Sequence, residues 1–307
     1  MNALRRVAVL AAIVLAVAML SDSRPARAGE AISHTIDVNG LSRTYLLYLP
    51  PAQSGKRLPA FIMMHGSGST DAQQENYSNF DAFAQAHNLV VMYPNGIDKH
   101  WNDGRVIGHE SAADDIGFIK AMLAEVTAQG VIDPQRVYAA GISNGGFMAQ
   151  HMACVMPDAL AGIAVVAATQ PVDAACPSPR SMPVIFFQGT ADKFVPFDGG
   201  PIAPQFGNRG SAISNAQAVA IWQKRNGCGA AQKTEIPAKE AGDLPVTVET
   251  YSCPAGRGLE SVIVEGGGHT WPGAHQGWLA TRILGPVTDN IDANDVMWTF
   301  FQSQAPN

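Results

Sequence analysis

The sequence lacks a basic excess: 20 Lys and Arg face 26 Asp and Glu, for a formal net charge of −6. A surface that binds nucleic acid needs the opposite balance, so a polyanionic partner is not expected. Charge of either sign is scarce, at 15% of positions against 47% hydrophobic, which excludes a disordered tail, and no collagen-like repeat is present. Long apolar runs are missing as well. The one from Val7 to Leu20 falls short of the roughly 20 residues that cross a bilayer, so neither a polytopic chain nor a retained anchor is expected. There is no H-E-x-x-H or other metal-ligand spacing, which leaves a zinc hydrolase without support. Internal repeats and low-complexity segments are absent too.

What is present begins with an export signal. Arg5 and Arg6 precede the apolar run, and Arg24, Pro25 and the triplet Ala26-Arg27-Ala28 follow it. This is the charged, apolar, A-x-A order of a secretory signal peptide, with cleavage expected after Ala28. Residues 1–28 are therefore read as signal peptide and 29–307 as a single catalytic domain, with a secreted or periplasmic destination. All four cysteines, Cys154, Cys176, Cys228 and Cys253, lie beyond the cleavage point. An even number in an exported chain reads as disulfides before metal ligands. Three pairings are possible. The favoured one joins sequence neighbours, Cys154 with Cys176 and Cys228 with Cys253, because each closes a short loop.

Short apolar runs rich in β-branched residues alternate with stretches of helical period, the pattern of a mostly parallel sheet covered by helices on both faces. Segments around 36–38 and 45–49 flank Asn39-Gly40, a hairpin dipeptide, and predict an antiparallel start. Strands are expected at 60–64, 89–92, 137–140, 162–167, 184–187 and 262–264. Helices are expected near 79–87, at 145–155 and at 215–222. Another holds Ile116, Ile119, Leu123 and Val126, with Ser111 as its cap and Gly130 as its stop. The chain closes on a helix carrying Ile291, Val296, Met297, Phe300 and Phe301. Residues 199–211 and 273–288 are rich in turn formers and read as surface excursions.

Gly141-Ile142-Ser143-Asn144-Gly145 is the only G-x-S-x-G in the chain, and it falls between an expected strand and an expected helix, the setting of a nucleophile elbow. A serine hydroxyl is a weak nucleophile at neutral pH. It needs a base within hydrogen-bond reach, and the base needs a partner that fixes its tautomer. In an α/β-hydrolase fold these follow in the order acid, then histidine, on loops after later strands. Asp192, in Gly189-Thr190-Ala191-Asp192, fits the acid, with Asp198 as the competitor deeper in the loop. His269, in Gly266-Gly267-Gly268-His269, fits the base. His34, His87, His100, His109, His151 and His275 lack that position at a strand end.

His65-Gly66-Ser67-Gly68 follows the strand ending at Met64, where this fold supplies one oxyanion donor from its backbone. The two donors are assigned to the N–H groups of Ser67 and Asn144; losing one such donor typically costs about 3 kcal/mol of barrier. Trp271 and Trp101 are candidates for an apolar wall beside the substrate, with plain core packing as the alternative. Asp103 and Arg105 are read as loop ties.

Taken in order, His65 to Gly68, Trp101 to Arg105, Asp115 to Ile119, Ile132 to Gly146, Gly189 to Asp192 and Gly268 to Gly273 resemble the α/β-hydrolase esterases that include polyhydroxybutyrate depolymerase-like enzymes and feruloyl esterases. The resemblance runs through nearly all of the expected mature chain and implies Ser143, Asp192 and His269 as the triad. Two departures stand out. Polymer-degrading members carry an extra substrate-binding module for which no residues remain after Asn307, so solid polymer is not the expected substrate. Some relatives have a cysteine where this chain has His100.

The reading is an exported serine carboxylic-ester hydrolase that works through an acyl-enzyme on soluble or oligomeric esters, with no cofactor, metal or nucleic acid. Because the base must be neutral, activity is expected to rise with pH through the imidazole range. A serine peptidase of related fold is the runner-up, followed by a lipase or a non-catalytic carbohydrate or lipid binder.

Overall fold

A computed structural model of the protein describes residues 29–51, 55–106, 112–177, 180–240 and 242–304. The expected signal peptide and the expected cap Ser111 lie outside the described residues. In chain order the strands and helices are β1 (Ile32–Val38), β2 (Leu41–Tyr48), β3 (Leu58–Met64), α1 (Asp71–Ser78), α2 (Phe80–His87), β4 (Val90–Pro94), α3 (Asp115–Ala128), β5 (Ile132–Ile142) and α4 (Asn144–Val155). The second half comprises β6 (Gly162–Val166), β7 (Val184–Gly189), the two-residue strands β8 (Gly200–Pro201) and β9 (Ser211–Ala212), α5 (Asn215–Asn226), β10 (Ala231–Ile236), β11 (Val246–Tyr251), β12 (Leu259–Val264), α6 (Trp278–Leu284) and α7 (Ala293–Gln304).

Ten strands form one sheet in the order β1-β2-β4-β3-β5-β6-β7-β12-β11-β10. The six from β4 to β12 run parallel, and antiparallel strands extend both edges. The first hairpin turns on Asn39 and Gly40 as expected, with φ of 55° and 80°, the left-handed pair that a two-residue turn demands. The edge hairpin of β10 and β11 has no counterpart in the sequence reading. Its first strand, Ala-Gln-Lys-Thr-Glu-Ile, exposes its central residues and so shows no apolar alternation.

The parallel strands are buried on both sides, and alternation divides them between two cores. Ala60, Ile62 and Met64 of β3 and Val184 and Phe186 of β7 face one core, packed by Phe118 of α3, Phe147 and Met152 of α4, and Trp222 of α5. Phe61 and Met63, with Ile185 and Phe187, face the other, packed by Phe80 of α2 and by Met297, Phe300 and Phe301 of α7. This is the α/β-hydrolase architecture the sequence implied, with helices on both faces.

Several local expectations shift. Asp114 caps α3 by accepting the Gly117 N–H at 2.7 Å. The helix expected near 79–87 is preceded by α1, the two meeting at Asn79 in a left-handed conformation. Ile291 lies before α7 rather than in it. The 273–288 excursion contains α6. Both disulfides join sequence neighbours, Cys154 to Cys176 and Cys228 to Cys253.

Candidate active site

The parallel strands all end on the same edge of the sheet, and the candidate residues gather there. Ser143 sits between β5 and α4 with φ 57° and ψ −121°, a conformation that L side chains rarely adopt and that costs on the order of 1–3 kcal/mol. Its glycine neighbours make that turn possible. A Cβ on Gly141 would stand 2.5 Å from the Gly145 carbonyl, one on Gly145 would collide with the Met64 carbonyl oxygen, and one on Gly146 would reach 2.8 Å from Ala168 Cβ. The glycines thus let α4 start hard against β3 and β6, with Ser143 at its head.

Asp192 follows β7, and His269 follows β12, its direct parallel neighbour in the sheet. His269 Nδ1 lies 2.8 Å from Asp192 Oδ2, both side chains buried. The other carboxylate oxygen, Oδ1, accepts the backbone N–H groups of Phe194 and Val195 at 2.8 and 2.9 Å, so the acid is held by its own loop. The competitor Asp198 is exposed. The histidine loop is fixed from the other side, where the His269 N–H donates to the Leu284 carbonyl and the Gly268 N–H to that of Pro286. Phe194 stacks on the imidazole with ring centres 5.0 Å apart.

Ser143 and His269 line one cavity of about 550 Å³ together with Gly66, Ser67, Gly68 and Asn144. Among the described residues no hydrogen bond joins the hydroxyl to the imidazole; such contacts often tighten only in the substrate complex. As the first residue of α4, Asn144 has an N–H with no carbonyl partner inside the helix. Its side chain is fully engaged elsewhere, accepting the Trp101 N–H at 2.7 Å and donating to the Trp101 carbonyl at 3.1 Å and to Asp103 Oδ2 at 2.7 Å.

His65 is buried behind the Gly66 turn. Its Nδ1–H donates to the Gly66 carbonyl and its Nε2 accepts the Gly96 N–H, at 2.9 and 3.0 Å. Burial pushes its pKa down to about 4, so the ring stays neutral and keeps both bonds at ordinary pH. Sequence reasoning assigned His65 only as part of the turn; its role as a prop is visible only once Gly96 is alongside.

Neither tryptophan forms the wall expected of it. Trp101 and Trp271 are both buried and neither borders the cavity. The Trp271 indole donates to Asn294 Oδ1 at 3.1 Å, and its backbone N–H donates to the Tyr77 hydroxyl, also at 3.1 Å, which anchors the histidine loop to α7 and α1. The apolar wall comes instead from Phe147, Phe194, Ile202, Phe206 and Leu284. These lie on α4, on the loops around the acid and on α6, where sequence spacing gives no sign of convergence. Asp103 and Arg105 do tie the loop, in a buried pair with bonds of 2.7 and 2.9 Å, and Arg105 also borders the cavity. Among the described residues no cluster of His, Cys, Asp and Glu could hold a metal ion.

Known proteins resemble this chain in sequence and in fold. Residues 43–224 match the family model described as Esterase PHB depolymerase. NocK of Nocardia uniformis subsp. tsuyamanensis, which carries an esterase name, is 31% identical over 266 residues, covering 82% of this chain and 77% of its own. Feruloyl esterase B of Piromyces equi is 28% identical over 246 residues, covering 77% of this chain but 44% of the fungal protein. Among solved structures, the acetyl xylan esterase from Aspergillus awamori shares the fold with a TM-score of 0.55 at 13% identity, over 78% of this chain and 94% of that one. The chain therefore belongs to the Esterase PHB depolymerase family, and it is a carboxylic ester hydrolase.

Proposed function

We propose that the protein is an exported serine esterase whose mature part, from residue 29, is one catalytic domain. Ser143 attacks the ester carbonyl, His269 takes the hydroxyl proton and returns it to the departing alcohol, and Asp192 holds the imidazole in the right tautomer. The N–H groups of Ser67 and Asn144 stabilise the oxyanion. Water, activated by the same imidazole, then releases the acid. The observation that carries this reading is the Asp192–His269 pair at 2.8 Å on the cavity that also exposes Ser143 in its strained turn. Two disulfides support an oxidising destination.

The cavity favours a modest acyl or aromatic group. Its volume of about 550 Å³ suits a small ligand, and Phe194, Phe206 and Ile202 offer an apolar face. Among the relatives, one is named feruloyl esterase B and another poly(3-hydroxyalkanoate) depolymerase C, so hydroxycinnamate esters and hydroxyalkanoate oligomers are the substrates to try first. The test is a panel of p-nitrophenyl esters of rising chain length, methyl ferulate, hydroxybutyrate oligomers and a peptide amide, each with wild type and Ser143→Ala. Ester turnover lost in Ser143→Ala with folding intact is expected. Preferred cleavage of the amide would make the protein a peptidase, and unchanged ester turnover would remove Ser143 from the chemistry.

A further inference from the structure

The two strands that deliver the oxyanion donors stop pairing before the donors are reached. The β3–β5 ladder ends at Met64 opposite Gly141, whereas Ser67 and Asn144 each lie three residues further on. Something other than the sheet must therefore set the gap between their N–H groups. Trp101 spans it. Its backbone bonds Asn144 twice, N–H to Oδ1 at 2.7 Å and carbonyl to Nδ2 at 3.1 Å, while its indole Nε1–H donates to the His65 carbonyl at 2.9 Å. The indole also packs against the His65 ring, with centres 4.9 Å apart.

We propose that Trp101 is a positioning residue for the oxyanion hole, a strut that fixes the Asn144 arm relative to the His65-Gly66-Ser67 arm. The proposal rests on the oxyanion assignment made above. Every joint of the strut is buried: Trp101 and His65 are 0% exposed and Asn144 3%. A broken bond there leaves an unpaired polar group out of water, so the geometry is held firmly. Asp103 takes the remaining Asn144 amide hydrogen and is itself locked by Arg105, which stops the Asn144 amide from rotating. Because Trp101 does not border the cavity, its loss should not weaken ground-state binding. Oxyanion donors act only when they lie 2.7–3.1 Å from the developing charge, so a loosened arm is expected to be felt in the transition state.

The test removes the indole N–H without removing the ring. In the exported full chain, Trp101 is replaced by benzothienylalanine, in which sulfur stands where the N–H was; Trp101→Phe is the simpler companion. Turnover of p-nitrophenyl butyrate is measured with inhibition by an alkyl trifluoromethyl ketone, whose serine adduct places an oxyanion in the hole. We expect kcat to fall about tenfold, KM to stay within about twofold, and the ketone to bind about tenfold more weakly. Normal kcat and normal inhibition in the folded sulfur variant, with Ser143→Ala inactive, would overturn the strut alone. A raised KM with unchanged kcat would also overturn it, making Trp101 a substrate contact. Turnover retained in Ser143→Ala would overturn the catalytic reading and the strut together.

Discussion

Asp192 divides its carboxylate between two tasks: Oδ2 meets His269 Nδ1 at 2.8 Å, while Oδ1 takes two backbone N–H groups from the residues just after it. Those backbone bonds keep the acid aimed at the imidazole without help from the histidine. Asp192→Asn retains the oxygen for Phe194 and Val195 but turns the other atom into a donor, which forces the imidazole into the wrong tautomer. We expect kcat to fall about 10³- to 10⁴-fold with little change in melting temperature. Near-normal kcat in a folded variant would show that another group orients the base.

Gly145 faces the Met64 carbonyl so closely that no side chain fits. Gly145→Ala should push α4 away from β3, costing about 2 kcal/mol or more of stability and displacing Ser143 and the Asn144 N–H together. Thermal melts and p-nitrophenyl butyrate turnover read the two effects. A variant with wild-type melting and wild-type kcat would mean that the elbow tolerates more room than the packing indicates.

The candidate triad was legible because each member follows an apolar run that ends abruptly: Ser143 after β5, Asp192 after β7 and His269 after β12. A parallel strand buried on both faces is nearly all apolar, so its end shows in the sequence. The walls were not legible. Phe194, Phe206 and Leu284 meet only because the loops after the acid and the end of α6 fold over one edge, and no periodicity records that. Trp101 and Trp271 stay open in the sequence between wall and core for a related reason: an aromatic beside a motif residue looks the same whether it faces the cavity or the core. The polar edge strand β10 lacked the apolar alternation that would have marked it, and α6 is a seven-residue helix bracketed by Gly277 and Gly285 inside a turn-rich stretch, too short for its apolar residues to show a period.

The Cys154–Cys176 bridge begins near the end of α4, the helix headed by the elbow, and closes 22 residues; Cys228–Cys253 closes 25 and ties the end of α5 to the segment after β11. Loops of this length contribute about 3 kcal/mol each by restricting the unfolded chain. Replacing either pair with alanines should lower the melting temperature by several degrees. Turnover measured well below the melt should change little, since neither bridge borders the cavity. A melt unmoved by loss of both bridges would show that they contribute nothing to the fold.

Acid is expected to break the bond that His65 Nε2 accepts from the Gly96 N–H. Its folded pKa is lowered to about 4 by burial, against about 6.5 in an unfolded chain. The unfolded chain therefore binds the extra proton first. The contribution of neutral His65 is complete above pH 6.5 and shrinks by about 3 kcal/mol in all as pH falls to about 4. Glu75 tilts the curve the other way, because burial and the neighbouring Asp81 raise its pKa to about 7, so the folded state holds that proton more tightly as pH falls. The two slopes are separated with His65→Asn, which keeps an amide where the ring was and removes the titration. Urea midpoints at pH 7 and pH 4.5 should fall more steeply with acid in the wild type than in the variant. Equal acid slopes in the two proteins would mean that burial does not hold the His65 pKa below its value in the unfolded chain.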